Sequence, residues 1–149
     1  MAVIDAHAHI YPDKIAPKAV EAVGDFYNVG MFGDGTADGL LAAKDRAPIT
    51  HFIVHSVATT AHAVTAINDF IAKQCQAHPE FIGFAAMQQD FEDPAAELQR
   101  AVELGLHGVK LHPDTQKVNM DDPRLMEVYA ICEQLGLPVV IHTGDYRYD

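Results

Sequence analysis

The strongest constraint in this chain is a repeated step from strand to helix. Short apolar runs rich in β-branched residues lie at 3–4, 51–57, 81–87, 108–112 and 138–142. Segments of helical periodicity fall between them, at 15–23, 62–76, 94–104 and 123–135. From the second run onward the strands begin about 30, 27 and 30 residues apart, the length of one strand–helix unit. Alternation at that pitch implies parallel strands, because each helix returns the chain to the same end of the sheet. The runs are nearly continuous in apolar residues, as strands covered on both faces are. The expected class is α/β, a parallel sheet clothed in helices.

Local signals sharpen the element boundaries. The last two helical segments open with Asp93-Pro94 and Asp122-Pro123, an N-capping aspartate before a first-turn proline. Each ends near a glycine, Gly105 or Gly136, where a left-handed cap costs little. The first unit is longer than the others. Its extra length lies in residues 24–39, which hold five of the ten glycines together with Phe26, Tyr27, Met31 and Phe32. A loop of this kind over the strand ends is expected to act as a lid.

Composition narrows the function. With 21 acidic and 10 basic residues the net charge is -11, and no cluster of Lys or Arg breaks that excess, so neither nucleic acid nor an anionic membrane is an expected partner. No signal peptide is expected at the N-terminus, and no run approaches the roughly 20 apolar residues of a membrane helix. Cys75 and Cys132 stand alone in helical patterns, which suits core residues of a reduced, cytoplasmic protein.

Nine histidines carry most of the chemical signal. His51, His62, His78 and His107 flank elements and are expected to be solvated or locally bonded. His55 lies late in the second strand, where one residue of register decides whether it faces the pocket, so it is left unassigned. His7, His9, His112 and His142 each fall at the C-terminal end of an expected strand. In Asp5-Ala6-His7-Ala8-His9 the two imidazoles project to one side of an extended chain, with small alanines between them. If the sheet closes into an eight-stranded barrel, the ends of strands one and five face each other, and His142 approaches the same point as His7 and His9. Three nitrogen ligands so arranged suit one divalent ion, Zn²⁺ first, with Mn²⁺ or another first-row ion also compatible, and leave a position open for water.

These stretches resemble the amidohydrolase superfamily, specifically the amidohydrolase-2 branch that includes aminocarboxymuconate-semialdehyde decarboxylase-like enzymes. The resemblance rests on Val3-Ile4-Asp5-Ala6-His7-Ala8-His9, Gly108-Val109-Lys110-Leu111-His112-Pro113 and Leu137-Pro138-Val139-Val140-Ile141-His142-Thr143-Gly144, with Asp121-Asp122-Pro123-Arg124 leading into the fourth helix. It implies a TIM (β/α)8-barrel, of which residues 1–149 would be the N-terminal part: strands one to five and four helices of a single domain. It further implies that His7 and His9 are first-strand metal ligands and that His142 is the fifth-strand ligand. A histidine from strand six and an aspartate from strand eight would follow beyond residue 149, so the catalytic acid and base are expected outside this sequence. Asp145 and Asp149 are not substitutes for them. His112 is expected to orient substrate or to ligate a second ion. Lys110 is expected in packing or substrate contact, or, in binuclear relatives, as a carbamylated bridge. Asp5 is either an acceptor behind a ligand imidazole or a strand residue bonded to backbone.

The expected activity is hydrolysis of an amide, lactone or ester-like bond in a small molecule by metal-activated water. The same-fold alternative is decarboxylation of a small unsaturated or aromatic acid, for which Lys110 and Arg147 are suggestive cationic groups. A second alternative is a catalytically incomplete metal-binding piece of a longer protein. Five strands would leave two apolar sheet edges unpaired, which a homo-oligomer could bury, and barrels of this type run to about 250 residues.

Overall fold

The computed structural model describes residues 2–143. Strand segments β1 Ile4–His9, β2 His51–His55, β3 Phe81–Gly83, β4 Ala85–Ala86, β5 Val109–Leu111 and β6 Val139–Ile141 form two parallel ladders, ordered β1-β2-β3 and β4-β5-β6. β3 and β4 are successive parts of one extended run. The N–H of Phe84 donates to the carbonyl of Val54 at 2.9 Å, and the N–H of Ala85 donates to that of Gly108 at 2.8 Å. The third expected strand is therefore present but changes neighbour at Phe84.

Packing explains the switch. The Phe84 ring lies against Gly108, where a Cβ would run into it. Beyond Phe84 the backbone groups of Ala86 have no strand on the β2 side, and Asn68 supplies both partners instead. Its Oδ1 accepts the Ala86 N–H at 2.7 Å, and its Nδ2 donates to the Ala86 carbonyl at 3.3 Å and to Glu97 Oε1 at 2.7 Å. A buried side-chain amide thus satisfies a strand's backbone, as buried polar groups require.

The helices are α1 Ala16–Tyr27, α2 Ala37–Leu41, α3 Val64–Ala77, α4 Pro94–Glu103, α5 Pro113–Gln116 and α6 Pro123–Leu135. The four long ones answer to the four expected; α2 and α5 are single short turns of helix that periodicity does not reveal. Asp93 Oδ1 accepts from the Ala96 N–H and Asp122 Oδ1 from that of Arg124, both at 3.0 Å, so both caps form as expected. Gly105 (φ 85°) and Gly136 (φ 68°) take up left-handed backbone after α4 and α6. α1 differs from expectation, running through Gly24 to end at Asn28 (φ 52°). One glycine inside a helix costs only about 1 kcal/mol, and the extension carries Phe26 and Tyr27 to the strand ends.

Ile71 and Ala72 of α3, Leu98 and Ala101 of α4, and Leu125, Val128 and Cys132 of α6 close one core against Phe52, Val54, Val109 and Leu111. Cys75 and Cys132 are free thiols, and burial pushes both up to about 11. The outer strands are less covered: Ile4 is 50% exposed, and Val139 to Ile141 are half-buried. No helix among the described residues is long and apolar enough to cross a membrane.

Candidate metal centre

The site begins with an irregularity in β1. Asp5 pairs with Phe52 and Ala8 with Val54, so β1 uses one residue more than β2 over that interval. The bulge takes the His7 N–H out of the ladder, and Asp5 Oδ1 accepts it at 3.0 Å. Of the two roles open to Asp5, this is the backbone one. Past the bulge the two imidazoles converge, with His7 Nε2 and His9 Nε2 3.1 Å apart.

A third imidazole joins them from the neighbouring strand. His9 and His55 are register partners across β1 and β2. The His55 ring centroid lies 4.8 Å from that of His7 and 4.5 Å from that of His9. Ligand atoms of His7, His9 and His55 all fall within 4.8 Å of one another. His55 is the residue that sequence reasoning left unassigned. Its orientation depends on the register of β2 against a bulged neighbour, and no pattern in the chain reports that register.

All three rings are held neutral. Burial, then the neighbouring imidazoles and Lys110, push His9 down to about 3 and His55 to about 2, and burial with Lys110 also lowers His7. Neutral imidazoles present lone pairs, the form a cation binds. The Nδ1 of His9 and both ring nitrogens of His55 are buried without a protein partner. Facing Nε2 atoms and unpartnered buried nitrogens fit a first-row divalent ion.

A second group forms at the ends of β5 and β6. The rings of His112 and His142 stack at 4.1 Å with an 11° tilt. Tyr27 Oη is 2.7 Å from His112 Nε2 and 3.0 Å from His142 Nε2. Gln116 fixes the backbone beneath: its Oε1 accepts the His112 N–H at 2.9 Å, and its Nε2 donates to the carbonyls of Ala58 and Met87 at 2.9 and 2.6 Å. Burial and the adjacent His142 push His112 down to about 4. The sequence marks Tyr27 only as part of the expected lid, and it does not mark Gln116. The first needs α1 to outlast Gly24, and the second needs the fold of α5.

One cavity of about 840 Å³ joins the two groups, lined by His7, His9, His112 and His142 and walled by α1 and the segment after it through Val20, Val23, Phe26, Tyr27 and Met31. The region expected to form a lid supplies part of this wall. His142 therefore shares the cavity of His7 and His9, near enough to depress both, yet the compact cluster of ligand atoms includes His55 rather than His142. Lys110 is fully buried on β5, with Nζ 3.5 Å from His7 Nε2, and burial pushes it down to about 8. His51, His62, His78 and His107 do not line the cavity; His51 bonds Thr50 and His78 packs on Phe81. Gly144, Asp145, Arg147 and Asp149 lie outside the described residues.

Known proteins resemble this chain in sequence and in fold. In sequence, the chain is 38% identical over 79 residues to 2-amino-3-carboxymuconate-6-semialdehyde decarboxylase of Dictyostelium discoideum, a match covering 51% of this chain and 22% of that protein. In structure it is similar to 5-carboxyvanillate decarboxylase of Novosphingobium aromaticivorans, solved with manganese and a nitrobenzoic acid, with TM-score 0.71, 20% identity, and coverage of 99% of this chain and 53% of the other. It is also similar to a probable 2-pyrone-4,6-dicarboxylic acid hydrolase of Acinetobacter baumannii, with TM-score 0.63, 21% identity, and coverage of 96% and 50%. The chain spans about half the length of these solved structures, and its α/β fold resembles that of amidohydrolase TIM-barrel proteins. The amidohydrolase-2 family model, described as Amidohydrolase, matches residues 4–149. With that match over nearly its whole length, the chain belongs to the amidohydrolase family, amidohydrolase-2 branch.

Proposed function

We propose that this chain serves a divalent-cation-dependent decarboxylation of a small unsaturated or aromatic acid, with His7, His9 and His142 as cation ligands and Lys110 and His112 facing substrate. The observation that carries this reading is a pair of facing ring nitrogens, 3.1 Å apart, on two histidines that line a largely apolar cavity, with a buried ammonium 3.5 Å from one of them. His7, His9 and His142 would hold the ion, and Zn²⁺ or Mn²⁺ there would supply Lewis-acid polarisation of a substrate oxygen. Lys110 Nζ attracts the substrate carboxylate. The apolar wall from α1 solvates a carboxylate poorly and neutral CO2 well enough, which favours loss of the charged group. When the C–C bond breaks, its electron pair stays on the substrate carbon and CO2 departs. The proton that carbon needs can come from the Tyr27 Oη–His112 Nε2 pair, 2.7 Å apart. The names of the Dictyostelium relative and the Novosphingobium neighbour support decarboxylation.

Hydrolysis of an amide, lactone or ester-like bond is the second reading. It is favoured by the neutral His112 ring, which can take a proton from attacking water, and by the name of the Acinetobacter neighbour. In either case we read residues 1–149 as the N-terminal part of a single barrel domain, with the main acid and base groups beyond residue 149. A homo-oligomer could cover the outer strands β1 and β6.

The test reloads the metal-free protein with Zn²⁺ or Mn²⁺ and offers it aromatic acids, unsaturated acids, lactones and amides, reading CO2 release and ring opening separately. Cleavage of a lactone or amide with no CO2 from any acid would overturn decarboxylation in favour of hydrolysis. Full metal content in all of His7→Ala, His9→Ala and His142→Ala would overturn the ligand assignment.

A further inference from the structure

We propose that His55 is a nitrogen ligand of the same cation as His7 and His9, so that β2 adds a third imidazole to the pair from β1. This rests on the reading above that the site binds a divalent cation, and it adds a ligand from β2.

The first support is placement. β1 and β2 are parallel neighbours, and His55 is the register partner of His9, so both side chains leave the sheet at the same level. Its ring is within 4.8 Å of both other rings, and donor atoms of all three cluster within that same distance. Three protein nitrogens with a further position open is a recurrent donor set for catalytic zinc.

The second support is what His55 lacks. It is 0% exposed, and neither Nδ1 nor Nε2 has a protein partner. Among the described residues no other buried histidine has both ring nitrogens unpartnered. The other fully or nearly buried polar side chains nearby are bonded: Asn68 and Glu97 to each other, Gln116 to three backbone groups, and His112 to Tyr27. An inert core histidine would bond at least one nitrogen to a carbonyl, and an apolar residue would fill the space without leaving polar atoms unsatisfied. Two free lone-pair positions beside His7 and His9 make sense when something absent from the protein itself occupies one of them.

The third support is readiness to bind beside the ligands already named. His142 Nε2 must first exchange its contact with Tyr27 Oη at 3.0 Å, whereas neither ring nitrogen of His55 makes a hydrogen bond that binding would break.

The test titrates Zn²⁺ into metal-free protein carrying ¹⁵N-labelled histidine and follows the ring nitrogens, with affinity measured in parallel for the wild type, His55→Ala and His55→Gln. One equivalent of Zn²⁺ should shift a ring nitrogen of His55 together with those of His7 and His9. Both variants should bind at least about 100-fold more weakly, beyond the roughly 10–100-fold loss expected of a group that only orients a ligand. If a variant fails to fold, the wild-type titration still decides the matter. Zn²⁺ binding that moves His7 and His9 but leaves both His55 nitrogens unmoved would overturn this proposal alone. Absence of Zn²⁺ binding by the wild type would overturn both it and the cation reading of the site.

Discussion

The imidazoles of His112 and His142 lie face to face, with centroids 4.1 Å apart, and the hydroxyl of Tyr27 reaches the Nε2 of each. An aromatic residue at the end of α1 thereby ties together the ends of β5 and β6. The same hydroxyl would compete with a cation for His142 Nε2.

Tyr27→Phe should separate these two effects. Loss of the bridging hydroxyl should lower the stability of the metal-free protein by about 1–2 kcal/mol, read by urea denaturation. Zn²⁺ affinity should rise, because His142 Nε2 is released from that bond. An unchanged stability together with weaker Zn²⁺ binding would show that the hydroxyl does not restrain His142.

Lys110 gives a test in the alkaline range. Its ammonium is fully buried, and burial holds it near 8 in place of its usual value of 10.5. Between those values the unfolded chain binds more protons than the native one, so stability should climb as pH rises through that window. Lys110→Met, similar in length and uncharged, should be more stable than the wild type by roughly 1–2 kcal/mol near neutral pH. It should also lose the alkaline rise. Persistence of the rise in the variant would assign it to another group.

In acid the expected slope has the same sign. His9, His55 and His112 are depressed to about 3, 2 and 4, so the native state resists protonation that the unfolded chain accepts below 6.5. Stability of the chelator-treated protein should be greatest above that point. It should then fall by up to about 1.4 kcal/mol per pH unit for each fully depressed histidine as pH drops below it. Bound Zn²⁺ should steepen the loss, since protons and metal compete for the same nitrogens. A flat profile between pH 6.5 and 5 would contradict the burial of these rings.

Asn68 tests the place where the third strand changes partners. Asn68→Ala leaves the N–H and carbonyl of Ala86 buried without their partners and removes one bond from Glu97. The expected cost is about 2–4 kcal/mol, measured by urea denaturation. A loss under about 1 kcal/mol would mean that the strand finds other partners.

Much of the fold could be read from the chain because it is written in local signals. The strand–helix pitch reflects a fixed unit length, and Asp93, Asp122, Gly105 and Gly136 act within a few residues of themselves. His7 and His9 were legible for the same reason, since side-chain parity along one strand needs no knowledge of its neighbour. His55, Tyr27 and Asn68 were not. The facing of His55 is fixed by pairing with β1, and the bulge in β1 sets the level at which the two strands meet. Tyr27 matters only because α1 runs past Gly24, and Asn68 only because the strand turns from β2 to β5 at Phe84. Each of these depends on contacts between residues far apart in sequence, which local periodicity does not encode.

The partner change at Phe84 divides the site as well as the sheet. His7, His9 and His55 stand on the ladder before it, while Lys110, His112 and His142 belong to the ladder after it or to its ends. An ion coordinated by His7, His9 and His142 would span this seam and clamp the two halves together.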